Sequence, residues 1–110
     1  MSKPPLEELV AEVNAINHAW KVAGELEGES SPLATSLRDL KRRLQVRLLR
    51  QYAPQWVYLA LDTEMEAEAG EALFGVLLRT PVGEYWNAAH LPVRVANEFL
   101  SSDEIAEFSR

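Results

Sequence analysis

The chain has 110 residues, 47% of them apolar and 25% charged, with a net charge of −6. That length fits one ordinary domain, and the balance is that of a folded globular protein, which excludes a disordered chain. There is no cysteine, which excludes disulfides, thiolate metal ligands and cysteine nucleophiles.

No apolar run follows Lys3, so residues 1–10 do not read as a signal peptide. Nothing approaches the roughly 18 uninterrupted apolar residues of a membrane span. A cytoplasmic location is the expectation. The charge is unevenly spread. Arg38, Lys41, Arg42, Arg43, Arg47 and Arg50 are six of the eleven basic residues and face only Asp39, so residues 38–50 carry +5 and the rest −11.

In chain order, Ser2 is a candidate cap, followed by Pro4 and Pro5 in a first helical turn and Glu7 and Glu8 where the helix dipole favours anions. Leu6, Leu9, Val13, Ile16, Trp20 and Ala23 recur at alternating steps of three and four, a helical seam widened by Val10. Gly24 is expected to end that helix, with residues 25–31 forming a solvated loop. Ser31 and Pro32 then supply a cap and a first helical position. Leu33, Leu37, Leu40, Leu44 and Leu48 form the expected core line of a second helix stopped by Pro54. A short loop makes the two helices an antiparallel hairpin over residues 1–52.

From Trp56 the pattern changes to β-branched and aromatic residues. Residues 56–62 (WVYLALD) read as a strand mostly buried on both faces, and 72–80 (ALFGVLLRT) as a second, antiparallel strand. Together they make a β-hairpin over 56–80. A helix over 64–78 competes, because MEAEAGEAL has high helix propensity, but Gly75 and the Thr80-Pro81 stop favour the strand. Pro81 to Gly83 is a turn. Residues 84–90 (EYWNAAH) fit either a third strand or one helical turn. Pro92 opens a short helix, and Ser101 with Glu104 gives the S-x-x-E capping pattern of another, so 91–109 is helical. The fold class is therefore α+β: an N-terminal antiparallel helical hairpin on a small antiparallel sheet of two or three strands, with short C-terminal helices. So small a sheet needs cover on both sides. A second copy of the chain is one source of that cover, and a homodimer is expected.

Three groups of side chains carry the candidate chemistry. Arg43, Arg47 and Arg50 make one stripe beside the apolar line of the second helix, suited to an acidic protein surface or a phosphate backbone. The bland alternative is that they lie over apolar surface and pair with Glu25, Glu27, Glu29 or the 64–71 glutamates. The overall acidity weighs against nucleic acid. Tyr85, Trp86 and His90 are a candidate pocket or interface, with His90 as a possible base, yet no second catalytic group sits at a diagnostic spacing. An aromatic edge packed on the sheet is the plainer alternative. His18 lies off the seam of its helix. Asp62, Glu64, Glu66 and Glu68 alternate, but the glycine-bearing loop of a calcium site is missing. No phosphate loop, zinc signature or nucleophile elbow is present. The expectation is a small non-enzymatic interaction module, an adaptor, assembly factor or regulator. It needs no cofactor or metal and spans no membrane. A nucleic-acid accessory protein using residues 38–50 and a small-molecule binder or enzyme around His90 are the alternatives.

Overall fold

A computed structural model of the protein describes residues 3–62, 72–80 and 83–109, with side chains for 6–62, 72–79 and 88–109. The expected Ser2 cap, the 63–71 connection, and Pro81 with Val82 lie outside the described residues. Helices α1 (Lys3–Glu27) and α2 (Pro32–Tyr52) are followed by strands β1 (Val57–Asp62), β2 (Leu73–Thr80) and β3 (Gly83–Pro92). Helices α3 (Val93–Phe99) and α4 (Ser102–Phe108) close the order. The fold is α+β: α1 and α2 pack together, and the three-stranded antiparallel sheet, in the order β1-β2-β3, packs against them.

Residues 84–90 resolve to strand, and the helical reading of 64–78 fails at Leu73–Thr80, which is β2. Val76 and Leu78 pair with Leu59 and Val57 on the helix-facing side of the sheet. Their burial there outweighs local helix propensity. In β1 Val57 and Leu59 are buried and Tyr58 and Ala60 half-buried, but the alternation breaks at Leu61, which shares the side of Val57 and Leu59 and is 56% exposed. A bulge interrupts the β2–β3 register between Gly75 and Leu77, and Ala89 there takes φ 63°.

The first helix does not stop at Gly24. It runs on to Glu27, and Gly28, at φ 95°, supplies the left-handed turn. The Gly28 amide donates to the Gly24 carbonyl at 3.0 Å, and the Ser31 amide to the Gly28 carbonyl at 3.1 Å. The connection therefore shrinks to 28–31. Ser31 caps α2 as expected, its hydroxyl accepting from the Ala34 amide at 3.1 Å.

One core joins both layers. It takes Leu6, Leu9, Val10 and Val13 from the first half of α1, and Val46, Leu48 and Leu49 from the second half of α2. Val57, Leu59, Val76, Leu78, Ala88 and Leu91 come from the sheet, with Val95, Ala96, Leu100 and Phe108 from the C-terminal helices. The far half of the hairpin, around the 28–31 turn, adds nothing to it. A 25-residue helix is about 37 Å long, longer than the roughly 20–33 Å of six- to ten-residue strands. The hairpin overhangs its sheet.

Candidate interaction surface

The predicted core line of α2 is not the buried one. Leu33 is 49% exposed and Leu40 41%, with Leu37 and Leu44 only half-buried. The buried line is Ala34, Lys41, Gln45, Val46, Leu48 and Leu49. At 100° per residue the two lines point about 100° apart. Leu48 alone belongs to both.

Two polar side chains make this burial tolerable. Lys41 is 4% exposed; its Nζ lies 4.2 Å above the Trp20 ring and donates to Asn17 Oδ1 at 3.3 Å. Burial, reinforced by the neighbouring Arg42, Lys21 and Arg38 charges, pushes its pKa down to about 8. Gln45 is fully buried, and its Nε2 donates to the Ala88 carbonyl at 2.9 Å and the His90 carbonyl at 3.1 Å, on either side of the bulged Ala89. It fastens α2 to the sheet at the bulge. Its Oε1 is buried without a hydrogen-bond partner among the described residues.

The displaced leucines leave an apolar surface on the overhanging half of the hairpin. On α1 of the same half, Val22 at 37% and Leu26 at 78% are also exposed. Arg43 and Arg47 flank the leucines on α2, and both are exposed. Arg50 leaves the expected stripe. Its Nε and Nη2 donate to the two Glu104 carboxylate oxygens at 2.9 and 3.1 Å, and Nη2 also donates to the Phe99 carbonyl at 3.0 Å. That bidentate pair raises the pKa of Arg50 and holds Glu104 below the usual carboxylate range. The partner is thus a C-terminal glutamate, not one of those in 25–29.

The sheet side away from the helices holds His90. Its register partner is Gly75, and Asp62 pairs with Leu73, so all four face the same way. The His90 ring reaches over the side-chain-free Gly75 to Asp62, Nε2 to Oδ2 2.9 Å. Asp62, read in the sequence only as part of an acidic run, is the acidic group that spacing could not supply. The pair ties the end of β1 to β3 across β2. At the other end, Arg79 lies 4.3 Å above the Tyr58 ring and donates to the Pro54 carbonyl at 3.1 Å. Tyr85 and Trp86 are β3 residues opposite Leu78 and Leu77; their side chains are outside the described set.

Among the described residues no cluster of three or more histidine or carboxylate side chains could hold a metal, and no helix is long and apolar enough to cross a membrane. No family model, curated protein or solved structure matches the chain.

Proposed function

We propose that the protein is a small interaction module whose working surface is the outer face of the overhanging hairpin, and that it self-associates there as a twofold dimer. The observation that carries this reading is the exposure of Leu33 and Leu40, with Val22 and Leu26, in a hairpin whose opposite half is fully built into the core. Exposed leucines on a polar-rimmed surface mark association sites. A second hairpin laid on the first completes a four-helix bundle.

Charge supports a second copy as the occupant. With the twofold axis along the helices, α1 of one protomer lies antiparallel on α2 of its partner. The Lys41–Asn17 contact sets the level between the helices. On that level Leu33 falls beside Leu26, Leu40 lies about one helical turn from Val22, and Arg47 falls beside Glu12. Glu7, Glu8 and Glu12 are exposed on α1, as Arg43 and Arg47 are on α2. Acidic rim therefore meets basic rim on both sides of the axis. A face roughly 30 Å long and two helices wide is of the size that a stable dimer needs, about 800 Å² per partner.

Sedimentation velocity with a Leu33→Glu/Leu40→Glu double variant tests this. The parent chain should sediment as a dimer, and the variant as a folded monomer with an unchanged circular dichroism spectrum. A strictly monomeric parent at the highest attainable concentration would rule out self-association. A dimer indifferent to the two substitutions would move the interface elsewhere.

A further inference from the structure

The two edges of the sheet are protected by different means. The β3 edge is blunted by its bulge, by Pro92, and by Gln45, whose amide holds the Ala88 and His90 carbonyls. The β1 edge has no proline or lysine, and its pairing with β2 runs unbroken from Val57 to Asp62. The Arg79 amide donates to the Trp56 carbonyl at 2.8 Å, which sets the phase of the ladder: Trp56, Tyr58, Ala60 and Asp62 bond toward β2. Val57, Leu59 and Leu61 therefore turn their N–H and C=O groups to the outer edge. Among the described residues no backbone hydrogen bond satisfies those groups there. Yet Val57 is 0% and Leu59 1% exposed, main chain included, so the edge is covered along its first half and emerges at Leu61.

Both α2 and α4 pack on β1. Helix α2 reaches from β1 to β3 and so lies beneath the sheet, whereas α4 packs on β1 and α3, at the β1 end. The bidentate Arg50–Glu104 pair fixes α4 to α2 there. We propose that α4 is a removable cover over a strand-addition site: the outer edge of β1 takes an extended segment of a partner protein, and α4 holds that site closed. The helix suits this role. Its seven residues are fewer than the roughly 12 at which an isolated helix becomes stable, and only Phe108 in it is buried. Only Leu100 and Ser101 join it to α3, and its pair with Arg50 is partly exposed and therefore weak. The edge defines the occupant. Its unpaired groups recur at every second residue, a spacing that another extended chain matches. Apolar side chains at alternate positions of that chain extend the row of Val57, Leu59 and Leu61, and an acidic residue takes the place of Glu104 on Arg50. The site is independent of self-association through the hairpin.

Fluorescence anisotropy with a short labelled peptide that alternates threonine and valine and ends in glutamate tests the site. The full chain carrying Glu104→Ala/Phe108→Ala, which releases α4, should bind the peptide about tenfold or more tighter than the parent, because closure lowers the binding-competent fraction. In that complex the Val57, Leu59 and Leu61 amides should exchange with deuterium more slowly than in the free variant. A peptide with proline at its centre should not bind. Glu104→Ala alone leaves the core intact and should shift the affinity in the same direction by a smaller factor, so a double variant that fails to fold does not spare the proposal. Equal affinity for the parent and the folded variants, binding that tolerates the proline, or unchanged exchange at Val57 and Leu59 would overturn it. Association of the released chain with itself through β1, undiminished by Leu33→Glu/Leu40→Glu, would overturn it in favour of a second copy as the occupant.

Discussion

Lys41 shows how far a single residue can depart from what its type suggests. Its pKa near 8 in the folded chain lies below the ordinary value of 10.5. Between those two values the unfolded chain holds more protons than the folded one, so stability should rise with pH through that window. Below pH 8 the penalty is fully present, at most about 3 kcal/mol from the shift. Lys41→Met keeps the packing against Trp20 and removes the charge. It should stabilise the protein by about 2 kcal/mol at pH 7 and abolish the difference from the parent above pH 10, read by urea unfolding at each pH. Gln45 behaves oppositely: Gln45→Leu strands the Ala88 and His90 carbonyls and should cost about 2–4 kcal/mol in the same assay. Neither burial was legible in the sequence. A binary pattern reads lysine and glutamine as surface, and what reverses it is contact with Asn17 and Trp20 on another helix and with carbonyls 43 and 45 residues away. The Asp62–His90 pair is invisible for the same reason, since 28 residues and an intervening strand separate its members.

At the scale of elements, local chemistry was a better guide. Ser31 before Pro32 and Ser101 before Glu104 mark helix starts through groups within three residues, and the full capping box forms at α4. The end of α1 was misplaced because Gly24 and Gly28 are equivalent in composition and differ only in backbone angle. Alanine substitutions should separate them with opposite signs. A Cβ at Gly24 would meet Glu29 Cγ at 3.5 Å, an ordinary contact, so Gly24→Ala should gain about 0.5–1 kcal/mol from helix propensity. Gly28→Ala has open space around its Cβ yet must hold φ 95°, and should lose about 1 kcal/mol. Chemical denaturation of the two variants reads both. The seam of α1 was read correctly at Leu6, Leu9, Val13 and Ala23, all of them buried. On α2 the same spacing rule found a real stripe and assigned it to the wrong side.

For the whole molecule, that misassignment is the informative result. Five leucines at helical spacing are expected to face a core, and the protein's own core accepts only the last of them fully. The two sides of the sheet differ in the same sense. The helix-facing side is closed by all four helices, whereas the other carries the Tyr58–Arg79 and Asp62–His90 pairs. An interface on the leucine stripe couples folding to association, because among the described residues the free hairpin end buries only Ala23, Ala34 and the charged Lys41 in its interior. By mass action, the melting temperature should then climb with protein concentration, since the dimer binds the native and not the unfolded chain. In the Leu33→Glu/Leu40→Glu variant it should become independent of concentration, at or below the lowest value of the parent chain. Arg43→Glu/Arg47→Glu should flatten the same curve at low salt and recover part of it at high salt, because screening removes the repulsion from Glu7, Glu8 and Glu12 but leaves the leucine contact intact. A parent melting temperature that does not move with concentration would place the leucine stripe outside any self-interface.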